Sequence, residues 1–375
     1  VSLWPVSIEL DDVALPLAEL LADVVLHRGR DSVSSEPTAD TLQITIRDVA
    51  RAFVRAFDVG QSLTLTVADG AGPIVPRFAG RVTDARLEDD RLTIIGTGLI
   101  STFRELAVGA TYWPAESWSA RVERIFAEAG LSATLDLRPD PELDPILAPR
   151  DPATADATTL GDYLAFLAPM IGALVADQPD GSVLVQAIGA RTLGAAYELD
   201  PGDVAYAPVW SEALPAGNIV TVRYQADQGA SVTLQDDVSI AHYGRRPMMI
   251  DTSFQASDDA TARARSALTR SAYAHWEIAG APILRGLDLQ LGEPVILAGL
   301  PAWSPYEPWT PILEGWTDTI TGDSWTMELA LSDPLVSGLT LSWEAIPIDP
   351  AFLWNTIDQA VAWIDALTLD DLEAA

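Results

Sequence analysis

The sequence predicts a mainly β protein with an α/β insertion, and three observations carry that expectation. The stretch Pro294–Pro334 holds four of the twelve tryptophans (Trp303, Trp309, Trp316, Trp325) and ends in strict apolar–polar alternation. An earlier stretch around Gly80 repeats the same order of parts. Between about 110 and 200 the apolar period changes from two to the three-and-four spacing of helices. Four segments are expected: 1–109, a first β domain; 110–200, an α/β insertion module; 201–340, a second β domain with one helix; and 341–375, a Trp-containing C-terminal arm. A chain of 375 residues suits two or three domains, since single cores rarely grow beyond about 250 residues.

In the first segment, strands are expected at Val24–Leu26, Leu42–Ile46, Leu63–Val67 and Arg91–Ile95, separated by Gly, Asp and Pro. Asp48–Phe57 places Val49, Phe53 and Phe57 on one face of a short helix. Many short strands in about 100 residues suggest a small barrel or a sandwich. In the module, Trp118, Val122, Ile125, Phe126 and Ala129 recur at helical spacing, with Gly130 placed for a left-handed cap. A second helix carries Leu160, Tyr163, Leu164, Leu167 and Ile171, opens on Thr159 with Asp162 three residues on, and should end or kink at Pro169. A hairpin follows, Ala173–Val175 and Val183–Val185 around Gln178–Gly181.

The third segment is expected to hold strands at Asn218–Tyr224 and Ser231–Leu234, then a helix from Ser257 to Tyr273 with a narrow face of Ala260, Ala264, Ala267 and Leu268. It closes on a hairpin: Leu313–Ile320, a turn at Thr321–Ser324, then a strand with Trp325, Met327, Leu329 and Leu331 on one face. The echo lies at Phe78–Asp84, Asp90 and Leu92–Ile95: a strand with an early Gly, a Thr-Asp pair, an acidic turn and an alternating strand. Two readings stand, a chance likeness of two hairpins or two related β domains. In the arm, Trp343, Trp354 and Trp363 are each followed by an aliphatic residue three or four positions on. That pattern suits an acidic arm anchored on another surface, or a terminal helix over Ala360–Leu369 packed on its own domain.

Composition closes much of enzyme space. There is no cysteine, so disulfides, thiolate metal sites and cysteine nucleophiles are excluded. All 22 basic residues are arginine, which excludes a Walker A loop, a Schiff-base cofactor and a Ser-Lys dyad; codon bias of a GC-rich genome accounts for the missing lysine. The net charge of −32 argues against sequence-neutral nucleic-acid binding. No apolar run reaches the ~18 residues of a spanning helix, and Val1–Leu10 lacks the basic start of a signal peptide. His27, His242 and His275 stand apart, outside metal-site spacing, and Gly96-Thr97-Gly98 reads as a turn. Adjacent acids (Asp11-Asp12, Asp89-Asp90, Asp236-Asp237, Asp258-Asp259) suit loops and caps more than Ca²⁺ or glycosidase sites. Trp303, Tyr306 and Trp309 either form a sugar-stacking platform, or cover the end of a barrel or sit at an interface. No catalytic, cofactor-binding or metal residue is assigned.

With these parts in place, the sequence resembles the minor tail proteins of actinobacteria-infecting siphophages, of the gp27-like baseplate-hub type. The likeness spans PRFAGRVTDARLEDDRLTIIGTG, TTLGDYLAFLAPMIGALVADQPDGSVLVQ, NIVTVRYQ, SIAHYGRRPMMIDT, GLPAW and EGWTDTITGDSWTMELALSDP, in that order, and the Trp-punctuated arm. The segment after Ile46 departs from it, lacking a Gly/Asn-rich turn. The resemblance implies two tube-type β-barrel domains per chain and a non-enzymatic, cofactor-free virion protein at the tail tip, assembled in the host cytoplasm. It implies a homotrimer whose pseudo-sixfold ring adapts the hexameric tail tube to the tip. Expected partners are the distal tail or tail tube protein, the tape measure protein and receptor-binding proteins, with no stable membrane insertion and with DNA passing through without specific binding. Trp303, Trp309, Trp343, Trp354 and Trp363 become expected interface residues. Two alternatives remain, a carbohydrate-binding tail-tip protein using the 303–309 aromatics and a cell-wall or polysaccharide hydrolase.

Overall fold

A computed structural model describes residues 6–10, 13–14, 21–30, 38–47, 58–68, 74–141, 143–152, 158–191, 197–199, 210–225, 229–278, 281–283, 289–298, 300, 309–321 and 324–333. The expected helix at 48–57, Trp303 and the arm with Trp343, Trp354 and Trp363 lie outside these residues. The first segment supplies β1 (Val6–Leu10), β2 (Val13–Ala14), β3 (Leu21–Gly29), β4 (Thr41–Arg47), β5 (Ser62–Ala68), β6 (Ile74–Glu88) and β7 (Arg91–Thr97). The module supplies α1 (Trp118–Glu128), β8 (Leu135–Arg138), α2 (Leu160–Ile171), β9 (Leu174–Asp177) and β10 (Val183–Gln186). After it come β11 (Ile219–Tyr224), β12 (Ala230–Gln235), α3 (Asp237–Tyr243), β13 (Pro247–Asp251) and α4 (Ser257–Ser271). The chain then gives β14 (Ala281–Ile283), β15 (Ile312–Thr321) and β16 (Trp325–Ser332).

Alternation decides the main sheet. Leu42, Ile44 and Ile46 on β4, Leu92 and Ile94 on β7, and Trp325, Met327 and Leu329 on β16 are all buried, at about 1.5–3 kcal/mol for each large apolar side chain. The strands line up as β2-β1-β5-β6-β7-β4-β3-β15-β16-β14, antiparallel at every step. Strands from both expected β domains therefore share one sheet, joined where Gly315–Thr321 of β15 pairs with Asp23–Gly29 of β3.

The sheet is curled. β6 and β15 stand four strand spacings apart, about 19 Å in a flat sheet, yet Arg77 Nη2 reaches Asp318 Oδ2 at 2.8 Å. Among the described residues β2 and β14 end the sheet, unpaired on their outer sides, and no closed barrel is seen there. With two and three residues, these end strands are too short to carry the pairing onward. The echoed hairpins, β6–β7 and β15–β16, lie in this wall four strands apart and run in the same direction. Each first strand carries a register shift, between Val82 and Asp84 and between Leu313 and Gly315.

A second core holds the module. Ser117 caps α1, and the helix ends with Gly130 at φ 75, Leu131 N donating to the Phe126 carbonyl and Gly130 N to the Ala127 carbonyl. Thr159 caps α2, accepting from Asp162 N. Pro169 does not stop α2 at once; it sits in the last turn, which runs to Ile171 and ends on left-handed Gly172. The continuous apolar run of β9 and β10 is buried on both faces. Leu174, Ala176 and Leu184 face the sheet's core, whereas Val175, Val183 and Val185 face the module's. The apolar contacts cross the expected boundary at residue 200. β11, β13 and the small face of α4 (Ala260, Ala264, Ala267) share the core of α1 and α2, while β15 and β16 share that of the first segment.

Candidate functional site

The concave face of the curled sheet carries charge. Along β15, Trp316, Asp318 and Ile320 point the same way because strand side chains alternate, and Asp318 is fully buried with them. Its Oδ2 accepts from Arg77 Nη2 at 2.8 Å and Trp316 Nε1 at 3.0 Å, and its Oδ1 from Trp325 Nε1 at 2.8 Å. The Arg77 guanidinium also lies over both rings, 5.2 Å from the Trp316 centroid and 5.5 Å from that of Trp325. Two tryptophans of the β15–β16 hairpin thus hold a carboxylate as well as filling the core.

At the other end of β15, the register shift turns Glu314 inward. Its Oε2 accepts from Arg30 Nε at 2.8 Å, and its Oε1 from Arg191 Nη1 at 2.8 Å and Ser332 Oγ at 2.6 Å. Burial alone would raise this carboxyl, but the Arg191 and Arg30 charges outweigh it and hold the group at about 2. The close approach that makes this possible falls at paired Gly29 and Gly315: a Cβ on Gly315 would meet Arg30 O at 2.6 Å and Arg30 N at 2.8 Å.

A third cluster ties module to sheet. Arg28 Nε donates to Asp40 Oδ2 at 2.6 Å, and Asp177, at the end of β9, accepts from Asp40 N and Ile100 N, both at 3.0 Å. Burial and the neighbouring Asp40 charge push the Asp177 carboxyl up to about 7. These buried pairs fix register and orientation between segments far apart in sequence; buried pairs are a weak source of net stability but a strong penalty when broken.

The residues singled out from sequence scatter. Trp309 is 2% exposed in the sheet's core, bridged to Leu297, so its ring packs inside this chain and offers no exposed sugar platform. His27 lies on β3, with Nδ1 3.1 Å from Thr317 Oγ1, His242 lies in the last turn of α3, and His275 lies in the strand 275–278. Among the acid pairs, Asp89 turns the β6–β7 hairpin at φ 54, Asp236 caps α3, and Asp258 and Asp259 occupy the first turn of α4. Among the described residues no group of three or more His, Asp or Glu is placed to hold a metal, and no helix is long and apolar enough to cross a membrane. Sequence reading passed over Arg28, Arg30, Arg77, Arg191, Asp40, Asp177, Glu314 and Asp318; the available signal was the shared parity of Asp318 with Trp316 and Ile320.

No protein-family model and no curated protein sequence matches the chain. Solved structures do. The chain shares its fold with phage tail proteins. The tail protein from Neisseria meningitidis MC58 superposes with a TM-score of 0.60 at 15% identity, over 89% of this chain and 98% of that one. The 43 kDa tail protein of prophage MuSo2 from Shewanella oneidensis gives 0.60 at 12%, over 89% and 99%. The E. coli c3393 protein, a type VI secretion component described as structurally similar to the T4 tail proteins gp27 and gp5, gives 0.51 at 10%, over 91% and 80%. At such identities the likeness concerns the fold alone.

Proposed function

We propose that this protein is a structural component of a phage tail, a non-enzymatic hub at the tail tip that joins the tail tube to the tip. One observation carries the proposal: the fold is shared with two phage tail proteins over 89% of this chain and over 98% and 99% of theirs. The architecture suits a ring wall. Two like hairpins, parallel and four strands apart in one curved sheet, are what a chain needs to supply two of six equivalent wall segments. Three copies then make a pseudo-sixfold ring against a hexameric tube. In this reading the actinobacterial siphophage is the source, the tail tube, distal tail, tape measure and receptor-binding proteins are the neighbours, and the arm with Trp343, Trp354 and Trp363 docks on one of them. DNA passes through the ring, and the net charge of −32 keeps it from sticking to the wall.

Native mass measurement of the purified chain, together with negative-stain images of tail tips, tests the proposal. A trimeric ring is expected; a stable monomer that forms no ring in the presence of tube protein overturns it.

A further inference from the structure

α3 is seated on the body by polar groups. Of its seven residues only Ser239 is buried. Asn218 Nδ2 donates to Ser239 Oγ at 3.1 Å and to the Gly244 carbonyl at 2.7 Å, Ser239 Oγ donates to the Ala272 carbonyl, and Arg246 Nη1 donates to the Pro215 carbonyl at 3.3 Å. These bonds bring residues 214–218, α3, the turn at 244–246 and the end of α4 together at one corner of the three-stranded sheet β12-β11-β13. Apolar side chains face outward there: Val238 is 71% exposed, Leu214 63% and Met249, on β13, 54%.

The corner is also basic, in a chain that carries −32. Arg245-Arg246 is the only adjacent pair of arginines in the sequence, and no acidic residue occurs between Val238 and Ile250. His242 and Arg245 are exposed. The two acids just before Val238 are occupied, Asp236 by the Ser239 amide and the Tyr273 hydroxyl, and Asp237 by Gln235 Nε2. Exposed aliphatic side chains beside cations fit an acidic partner with large apolar anchors.

We infer that this corner holds the acidic arm of the same chain, residues 334–375, with the tryptophans of the arm on Val238 and Leu214. The arm supplies the complement: seven acidic residues, no arginine, and Trp343, Trp354 and Trp363 as anchors. It also starts on the right side of the molecule. β16 ends at Ser332, whose Oγ donates to Glu314, and Arg191 donates to the same carboxylate. The Arg191 charge reaches Arg270 in the last turn of α4, two residues before the Ala272 carbonyl that holds Ser239. A fully extended stretch of that length spans about 140 Å, so reach does not limit it. The inference adds to the proposed role without resting on it: the arm that docks on a neighbour in the tail is held on its own chain before assembly.

The chain has no cysteine, so a single bimane label on Ala241→Cys, at an exposed position of α3, reports contact with tryptophan by quenching. In the free full-length protein the label is expected to be quenched, and to brighten when Trp343→Phe, Trp354→Phe and Trp363→Phe are combined. Arg245→Glu and raised salt are each expected to brighten it in part, because they weaken the charge attraction. The same label on Val59→Cys, 71% exposed in the turn before β5, is the control and should not respond to the arm. A label on α3 that is indifferent to the three tryptophan changes overturns the inference. So does unchanged quenching in a folded Arg245→Glu chain, or quenching lost on dilution, which would put the arm on a second copy. Each reading is made on the free chain, so failure to form a ring leaves the result standing.

Discussion

Glu314 and Asp177 are both buried carboxylates at joints between segments, and their surroundings push them in opposite directions. Glu314, held at about 2 despite burial, is below its unfolded value of 4.5. The stability it contributes is present above pH 4.5 and is lost as pH falls towards 2, about 3 kcal/mol in all. Asp177, raised to about 7 by burial and by Asp40, stands above its unfolded value of 3.8, so its contribution is present below that value and lost as pH rises to about 7. Denaturant unfolding across pH 2–8 should therefore show Glu314→Gln flattening the acid limb and Asp177→Asn flattening the limb between about 4 and 7, each against the wild type. Glu314→Ala at neutral pH should cost about 3–5 kcal/mol, because it leaves Arg30 and Arg191 buried beside each other without their shared anion.

Between elements, backbone approach decides the joint. β3 and β15 can pair only because Gly29 and Gly315 face each other, and Gly29 also needs φ 75. Gly315→Ala should cost about 1–3 kcal/mol through overpacking, and Gly29→Ala a further ~1–2 kcal/mol of backbone strain. Gly60, at φ 96 with open space around it, is the control: Gly60→Ala should show strain without overpacking when urea midpoints are compared. At this scale the sequence was informative wherever one periodicity ran uninterrupted. The alternation of β4, β7 and β16, the Thr159 cap and the stripe of α2 all matched their expected elements. β6 was harder to see at its full length because Pro76, Gly80 and an exposed polar half hide a 15-residue strand, and α3 because seven residues give too short a stripe. The likeness of the hairpins was visible, but the fate of their acids was not. Alternation from buried Val82 would put Asp84 on the core side, but the register shift between them turns it outward, whereas in β15 the shift precedes Asp318, which keeps the core side of Trp316. Asp84 is partly exposed beside Arg86 and Asp318 is buried on Arg77.

For the molecule as a whole, the missing information was long-range. Nothing local says that β3 pairs with a strand some 290 residues later, or that Arg77 crosses the curve of the sheet to Asp318; composition reads both charges as surface. A double-mutant cycle of Arg77→Met and Asp318→Asn should return a coupling of about 0.5–3 kcal/mol, and a coupling near zero would mean the curl is set by the apolar core alone. Charge then governs assembly. In the proposed ring of three, each chain would bring −32, so self-repulsion would oppose association. Raising ionic strength from about 0.01 M to about 0.15 M shortens the screening length from about 30 Å to about 8 Å, which removes repulsion between facing walls and leaves the fully buried pairs at Glu314 and Asp318 almost untouched. The trimer fraction measured by sedimentation should therefore rise with salt while the thermal unfolding of each chain moves little. A ring that falls apart in salt would instead mean that its contacts are ion pairs between copies.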